Sequence, residues 1–214
     1  MNYWTNWQKQ EPKLLHIDKL AERLLHELPG HSAHKIMASR TRSFEFLDEN
    51  VKDAAVLIAI FEENGSWKIP LIKRVEDGKI HSGQIAFPGG KIEDGESVIE
   101  AAIREANEEI GIRIEDVEII GTLSELVIPV SSYRVIPVIG KMKGGQKFKK
   151  NPDEVQEIVI IEMDELKKKE VIKSEERTFN GVKVKIPFYE MNKEKIWGAT
   201  AMILSELMQI LDED

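Results

Sequence analysis

The chain has 214 residues and no cysteine, which excludes disulfide scaffolds, thiol nucleophiles and iron–sulfur clusters. Hydrophobic residues make up 42% and charged residues 32%, as in a folded globular protein. The net charge of −8 argues against a nucleic-acid partner, although a bound metal could reverse the local field for a phosphorylated substrate. No segment is suited to span a membrane and no secretory signal is present, so we expect a cytoplasmic protein with no membrane partner.

The first fifty residues are predicted to form a helical extension, and residues 51–214 the main domain. Apolar residues recur at helical spacing from Leu14 to Leu28, and Pro29-Gly30 ends the run. We expect this amphipathic helix to pack on the main domain. Exchange of the helix with a second copy, which would make a homodimer, is left open, as is binding of another partner.

The main domain is predicted to mix strands and helices. The apolar run 54–61 indicates a buried strand that forms a hairpin, through Asn64-Gly65, with a strand at 67–73. A glycine-rich loop at 77–90 precedes a helix at 97–110, which Gly111 ends. Later elements are strands at 112–123, 133–140, 155–162 and 182–189, a short helix at 163–169, and a closing helix at 196–211. This order predicts an α/β or α+β fold with a mixed sheet.

Three carboxylates share one face of the helix at 97–110. Glu105, Glu108 and Glu109 are spaced i, i+3 and i+4, and such like charges repel by a few tenths of a kcal/mol, roughly, per pair. In a cleft the cluster would need a cation, and oxygen ligands at this density suit Mg²⁺ or Mn²⁺ better than zinc. The opposite face is predicted to pack on the sheet; it comprises Ile99, Ile103, Ala106 and Ile110.

The loop before this helix is suited to approach a ligand. Glycines at 89 and 90 let the backbone come close, and a glycine carbonyl could complete a metal shell. Arg104 lies roughly 100° around the helix from Glu105, so it is better placed to pair with Glu96 than to bind metal. We therefore give Glu96 and Arg104 structural roles. Residues 91–118 contain ten acidic and three basic residues, so the acid surplus is concentrated at this predicted site.

Residues 90–112 resemble the Nudix box at every fixed position, with a small residue, Ala106, in its apolar slot. The resemblance implies a Nudix hydrolase with an α/β/α sandwich, a divalent metal, and a small-molecule substrate built as a nucleoside diphosphate linked to another group. By position it makes Glu105, Glu108 and Glu109 the metal ligands, with a carbonyl from Gly90 or Gly89.

Residues upstream resemble the signature of the coenzyme A pyrophosphatase branch. Arg74, Gly83 and residues 87–90 agree with it. The chain departs from it at Lys79, which replaces an arginine, at residues 70–72, where Pro-Leu-Ile replaces Leu-Leu-Thr, and at Val75, which replaces a small hydroxyl residue. Further similarity lies at 81–87, 151–155 and 196–200, so the resemblance covers roughly residues 54–205. Lysine keeps the charge but loses the bidentate fork of arginine. The resemblance implies cleavage of coenzyme A to adenosine 3′,5′-bisphosphate and 4′-phosphopantetheine.

This resemblance also proposes site residues. The substrate-binding candidates are Arg74, Lys79, His81 and Gly89. The catalytic candidates are Glu105, Glu108 and Glu154, and the general base is left open between the last two. Two alternatives remain at this point: a pyrophosphatase for another such substrate, for example ADP-ribose or NADH, and a nucleotide sensor that does not hydrolyse its ligand.

Overall fold

The computed structural model describes residues 17–39, 42, 51–78, 81–179 and 181–212. Its α-helices are α1 (Leu20–Arg23), α2 (His31–His34), α3 (Val98–Ile110) and α4 (Gly198–Asp212). Its strands are β1 (Lys52–Glu63), β2 (Ser66–Arg74), β3 (Ile85–Ala86), β4 (Gly89–Lys91), β5 (Val117–Thr122), β6 (Leu126–Ile128), β7 (Tyr133–Met142), β8 (Val155–Glu162), β9 (Ile172–Phe179), β10 (Val182–Met191) and β11 (Glu194–Trp197). Short 3-10 turns lie at Ile17–Lys19, Lys35–Met37, Ile114–Asp116, Met163–Lys167 and Lys169–Val171.

The described residues form a mixed eight-stranded sheet built around β1 and β7. These two strands run parallel, and β2, β4, β5, β6 and β8 add to the sheet in antiparallel pairs. The predicted hairpin is present between β1 and β2, where both turn residues, Asn64 and Gly65, have positive φ of 55° and 77°. The mixed α+β fold predicted from the order of elements is therefore confirmed.

Alternate residues of β1 divide the interior into two layers, because successive side chains of a strand point to opposite faces. Leu57, Ala59 and Phe61 pack with α3 on one face. Ile58 and Ile60 pack on the other face with α4, of which eleven of fifteen residues are buried. The arrangement places one helix on each side of the main sheet.

A second, three-stranded sheet of β9, β10 and β11 lies on the α4 side. Strand β9 was not predicted, since its sequence is largely polar. The closing helix was predicted to begin at residue 196 but begins at Gly198. Ile196 belongs instead to β11, where it pairs with Tyr189 of β10.

The long N-terminal helix predicted for residues 14–28 is wrong in the part that the structure describes. The α-helix there covers only Leu20–Arg23, and Leu25 is 85% exposed. Leu14 lies outside the described residues. Tertiary contacts override the helical pattern here: the Arg23 guanidinium donates to the carbonyl oxygens of Ile210 (3.1 Å) and Leu211 (2.9 Å) at the end of α4.

Glu206 joins three distant parts of the chain inside the protein. This α4 carboxylate is fully buried, and one oxygen accepts from the backbone N–H groups of Gly30 (3.2 Å) and Ser124 (3.3 Å). Its other oxygen lies 2.9 Å from Nε2 of His34, which is also fully buried. The segment around α2 is thus fastened to α4 by a shared acceptor. Within the described residues, no helix has the length and apolar character needed to cross a bilayer.

Candidate active site

Helix α3 carries the predicted carboxylates, and both of its ends are set by local signals. Ser97 and Glu100 form a reciprocal capping box, and Gly111 ends the helix with a left-handed φ of 74°. Ile103, Ala106 and Ile110 are buried against the sheet as predicted, whereas Ile99 in the first turn is 39% exposed, so its expected packing is wrong. The buried face begins two residues later, at Ala101 and Ala102.

Glu109 lies at the buried centre of the site and is only 1% exposed. Its Oε2 accepts from the N–H of Gly89 at 2.9 Å, and its Oε1 is 3.5 Å from Nη1 of Arg74. Burial nevertheless raises the pKa of this carboxyl to about 8, because removing a charge from water costs more than these two partners return. The carboxylate therefore favours an added cation.

Glu105 packs directly against the backbone of Gly90. A Cβ at Gly90 would lie 2.4 Å from Oε1 of Glu105, so only glycine leaves room for the carboxylate. Burial raises the pKa of Glu105, and Nη1 of Arg104 donates to its Oε1 at 2.8 Å. Gly89 is equally confined, since its Cβ would lie 2.3 Å from the carbonyl oxygen of Ala55. This close approach lets β4 place Gly90 under Glu105.

Arg104 connects the loop before α3 with the carboxylates of the helix. Its guanidinium donates to both oxygens of Glu96, at 2.8 and 3.1 Å, and to the carbonyl of Lys91 at 3.1 Å. It also contacts Glu108, at 3.3 Å, in addition to Glu105. Its reach to Glu105 was not expected from the angular separation on the helix. Glu108 itself has a half-exposed side chain.

Glu154 joins the same group of carboxylates from the segment before β8. The N–H of Asn151 donates to the Glu109 carbonyl at 2.8 Å, and the N–H of Val75 donates to the Glu154 carbonyl at 3.2 Å. The charge of Glu154 contributes to the raised pKa of both Glu105 and Glu109. The long-range bonds thus hold Glu154 beside the end of β2 and the face of α3.

The residues fit a hard divalent cation, although the carboxylates are now paired with arginines. Among the described residues, no three acidic or histidine side chains stand arranged to hold an ion. Arg104 contacts Glu105 and Glu108, and Arg74 and the N–H of Gly89 contact Glu109. Carboxylate and carbonyl oxygens are the ligands that Mg²⁺ and Mn²⁺ prefer.

The remaining sequence candidates lie around the loop after β2. Arg74 ends that strand and reaches Glu109. His81 follows in the loop with φ of 71° and a side chain bonded to Gln84. Lys79 lies outside the described residues. Gln84 was not predicted; the spacing of three residues from His81 across a Ser-Gly turn could have indicated it.

Replacing Gly90 by alanine is expected to lower kcat by about 10–100-fold, since it would displace Glu105, a candidate metal ligand, and a displacement of about 1 Å is costly at a reacting centre. The new Cβ would push Glu105 away, whereas Gly90 has no positive φ that glycine alone could adopt. Steady-state kinetics would measure the change in kcat, and thermal unfolding would measure whether the stability of the fold has changed. Gly121→Ala is the matched control, because its Cβ would meet only the end of the Leu24 side chain. An unchanged kcat for Gly90→Ala would show that Glu105 does not need this position.

The fold and the carboxylate helix together define a family. The model of the NUDIX domain matches residues 51–180, more than half of the chain, and the chain therefore belongs to the Nudix family. Nudix hydrolases generally use divalent metal ions and act on small nucleotide substrates.

Curated relatives support the same family. The chain is 30% identical to Nudix hydrolase 3 of Caenorhabditis elegans, over 75% of this chain and 73% of that protein. It is 35% identical to the uncharacterized Nudix hydrolase NudL of Pectobacterium atrosepticum, over 75% and 84% of the two chains. It is 38% identical to the mitochondrial Nudix hydrolase 15 of Arabidopsis thaliana, over 72% of this chain but only 56% of the plant protein. The cytoplasmic location expected for this chain stays a prediction.

A solved structure supports the fold. The crystal structure of a MutT/nudix family protein from Enterococcus faecalis aligns with 95% of this chain and 76% of its own length. The TM-score is 0.51 and the sequence identity is 17%, so the likeness concerns the fold alone.

Proposed function

We propose that this protein hydrolyses the pyrophosphate bond of coenzyme A, or of its derivatives, to adenosine 3′,5′-bisphosphate and 4′-phosphopantetheine. The observation that carries the proposal is that the coenzyme A signature and the carboxylate helix converge. Arg74, from the signature, contacts Glu109 of the helix, and Gly89 and Gly90 contact Glu109 and Glu105. These contacts support the proposal, because they bring residues of the signature to the candidate metal ligands.

Two further segments of the signature support the same placement. The turn at Gly83 pairs with the end of β2, through bonds from the Arg74 N–H to the Gln84 carbonyl (3.0 Å) and from the Gly83 N–H to the Val75 carbonyl (3.3 Å). The late segment at residues 196–200 reaches the start of β3, where the buried Thr200 hydroxyl donates to the Ile85 carbonyl at 2.9 Å. Segments far apart in sequence are thus joined at β2 and β3.

The acidic and basic side chains of the candidate site have different proposed roles. Glu105, Glu108, Glu109 and the Gly90 carbonyl would hold Mg²⁺ or Mn²⁺, which supplies polarisation of the phosphoryl oxygens and an acidified water when bound. Arg74 is a partly exposed cation beside this cluster and would bind a substrate phosphate. Glu96 would keep Arg104 in place through its two hydrogen bonds.

Either Glu108 or Glu154 would take the proton from the attacking water. Glu108 has a half-exposed side chain that a water molecule can reach, but it shares Arg104 with Glu105. Glu154 approaches from a different segment and is coupled by charge to both buried carboxyls. Because Glu108 is also a proposed metal ligand, Glu108→Gln and Glu154→Gln would be compared in both kcat and metal affinity. The base is the residue whose replacement lowers kcat while the metal affinity stays unchanged.

A substrate panel tests the proposal. The purified protein with Mg²⁺ or Mn²⁺ is expected to release adenosine 3′,5′-bisphosphate from coenzyme A, with kcat/KM at least about tenfold above that for ADP-ribose, NADH or a nucleoside triphosphate. Products would be separated by anion-exchange chromatography. Preference for one of the other nucleotides would overturn the coenzyme A assignment and leave family membership intact. Tight binding of coenzyme A without any product would instead indicate a sensor.

A further inference from the structure

The turn that leads into β3 brings two polar side chains together. His81 and Gln84 are its first and fourth residues, closed by a bond from the Gln84 N–H to the His81 carbonyl at 3.2 Å. Gly83, the third residue, has φ of 69°, the positive value that a type II turn requires there. Nδ1 of His81 lies 3.1 Å from Oε1 of Gln84 across this turn.

The loop is fixed by bonds that do not involve the side chain of Gln84. The Ser82 hydroxyl oxygen accepts from the N–H groups of Asp77 (3.0 Å) and Gly78 (3.2 Å), and it donates to the Val75 carbonyl at 3.3 Å. His81 itself adopts a left-handed φ of 71°, which is uncommon for residues other than glycine. Such backbone conformations persist where the surrounding structure holds them and often occur at functional sites.

The pairing of β2 with β3 brings the backbone of Gln84 next to the end of β2. Ile72 faces Ala86, and both pack toward α3. Just before β3, the Gln84 carbonyl accepts from the N–H of Arg74 at 3.0 Å. The turn that carries His81 and Gln84 is therefore joined by its backbone to Arg74, the arginine that reaches Glu109.

We propose that Gln84 is a positioning residue that holds His81 in its Nδ1–H tautomer and so presents Nε2 as a hydrogen-bond acceptor to the substrate. The Gln84 carbonyl oxygen can only accept, so the 3.1 Å contact is a hydrogen bond when Nδ1 carries the proton, and the other ring nitrogen of a neutral histidine then has a lone pair. The proposal rests on the proposed function, since it assigns a specificity contact within the same site.

In this arrangement Arg74 and His81 would bind two different kinds of substrate group. Arg74 can only donate, so it suits phosphate oxygens, which only accept. His81 with a bare Nε2 suits the opposite partner, a hydroxyl group of the nucleotide substrate. A substrate that carries a phosphate and a hydroxyl at the right separation would satisfy both residues at once.

The tautomer can be tested without substrate. Protein labelled with ¹⁵N-histidine, compared with His81→Asn to assign the signal, is expected to show His81 with the proton on Nδ1. Gln84→Glu, which keeps an acceptor oxygen, should retain this tautomer, whereas Gln84→Leu should give a mixture of both. A proton on Nε2 in the wild-type protein, or an unchanged tautomer in Gln84→Leu, would overturn the proposal whatever the substrate proves to be.

The consequence for binding is tested with coenzyme A and Mg²⁺. Gln84→Leu is expected to raise KM by about tenfold, the loss of roughly one hydrogen bond, and to change kcat by less than about twofold. Gln209→Leu, a partly buried glutamine on α4, is the matched control and should leave both constants unchanged. A fall in kcat at constant KM would contradict the assigned role. Failure of the wild-type protein to hydrolyse coenzyme A would contradict the proposed function, and the tautomer measurement would then decide this inference alone.

Discussion

Glu109→Gln is expected to lower metal-dependent hydrolysis by about 10³-fold or more, and also to make the metal-free protein more stable at pH 8. The activity falls because a metal ion supplies several kcal/mol of transition-state stabilisation, roughly, and the amide is a far weaker ligand. The stability rises because a carboxylate that is 1% exposed is replaced by a neutral group of the same shape.

The sign of the pH dependence follows from the raised pKa of Glu109. Its pKa is about 8 in the folded protein and 4.5 ordinarily, so the folded state favours the protonated carboxyl. The contribution to stability is present in full below about pH 4.5 and is lost as the pH rises toward 8. Each pH unit in this window costs the metal-free wild-type protein up to about 1.4 kcal/mol, whereas Glu109→Gln lacks this slope.

Urea unfolding in the presence of a chelator at pH 5.5 and pH 8 would measure how the free energy of unfolding changes with pH in the wild-type protein and in Glu109→Gln. Glu108→Gln is the control, because its half-exposed side chain remains in contact with water. Equal slopes for wild type and Glu109→Gln would show that Glu109 is not the buried carboxyl that limits stability. Activity within about tenfold of wild type would remove Glu109 from the metal site.

Glu206→Leu is expected to lower the free energy of unfolding by about 3–5 kcal/mol, because it removes the shared acceptor of a buried hydrogen-bond network. The N–H groups of Gly30 and Ser124 and the His34 ring would lose their partner inside the protein. For a chain of this length the loss corresponds to a decrease in Tm of roughly 10 °C. Differential scanning calorimetry would measure it.

The double variant His34→Leu/Glu206→Leu separates the pair from the rest of the network. It should recover part of the lost stability, because replacing both partners by apolar groups leaves no orphaned imidazole. Two orphaned backbone N–H groups remain, so recovery should stay incomplete. A loss below about 1 kcal/mol in Glu206→Leu would show that water or another group replaces the carboxylate.

Elements with local signals were predictable from the sequence. Helix α3 runs from Val98 to Ile110, against a prediction of 97–110, because the Ser97 cap, the periodic isoleucines and Gly111 all act within a few residues. The β1–β2 hairpin follows in the same way from its Asn64-Gly65 turn. The placement of metal-ligand candidates on one helix face depended only on these local elements.

Features that depend on distant partners were not predictable. The pattern from Leu14 to Leu28 suggested one long helix, but Arg23 and Gly30 instead meet α4, which ends the helix early. Glu206 could have been noticed as a single acid within the apolar run of α4, although nothing local indicates its partners. The contact between Arg104 and Glu105 depends on side-chain reach, which angular spacing on a helix does not capture.

The shared acceptor at Glu206 has a practical consequence for any shortened version of this protein. The segment that matches the NUDIX domain ends at residue 180, before α4, and begins at residue 51, after α2. A fragment with those limits would lack Gly30, His34 and Glu206 together, along with the helix that covers one face of the sheet. Such a fragment is expected to aggregate on expression, so we expect the smallest autonomous folding unit to extend beyond residues 51–180 at both ends.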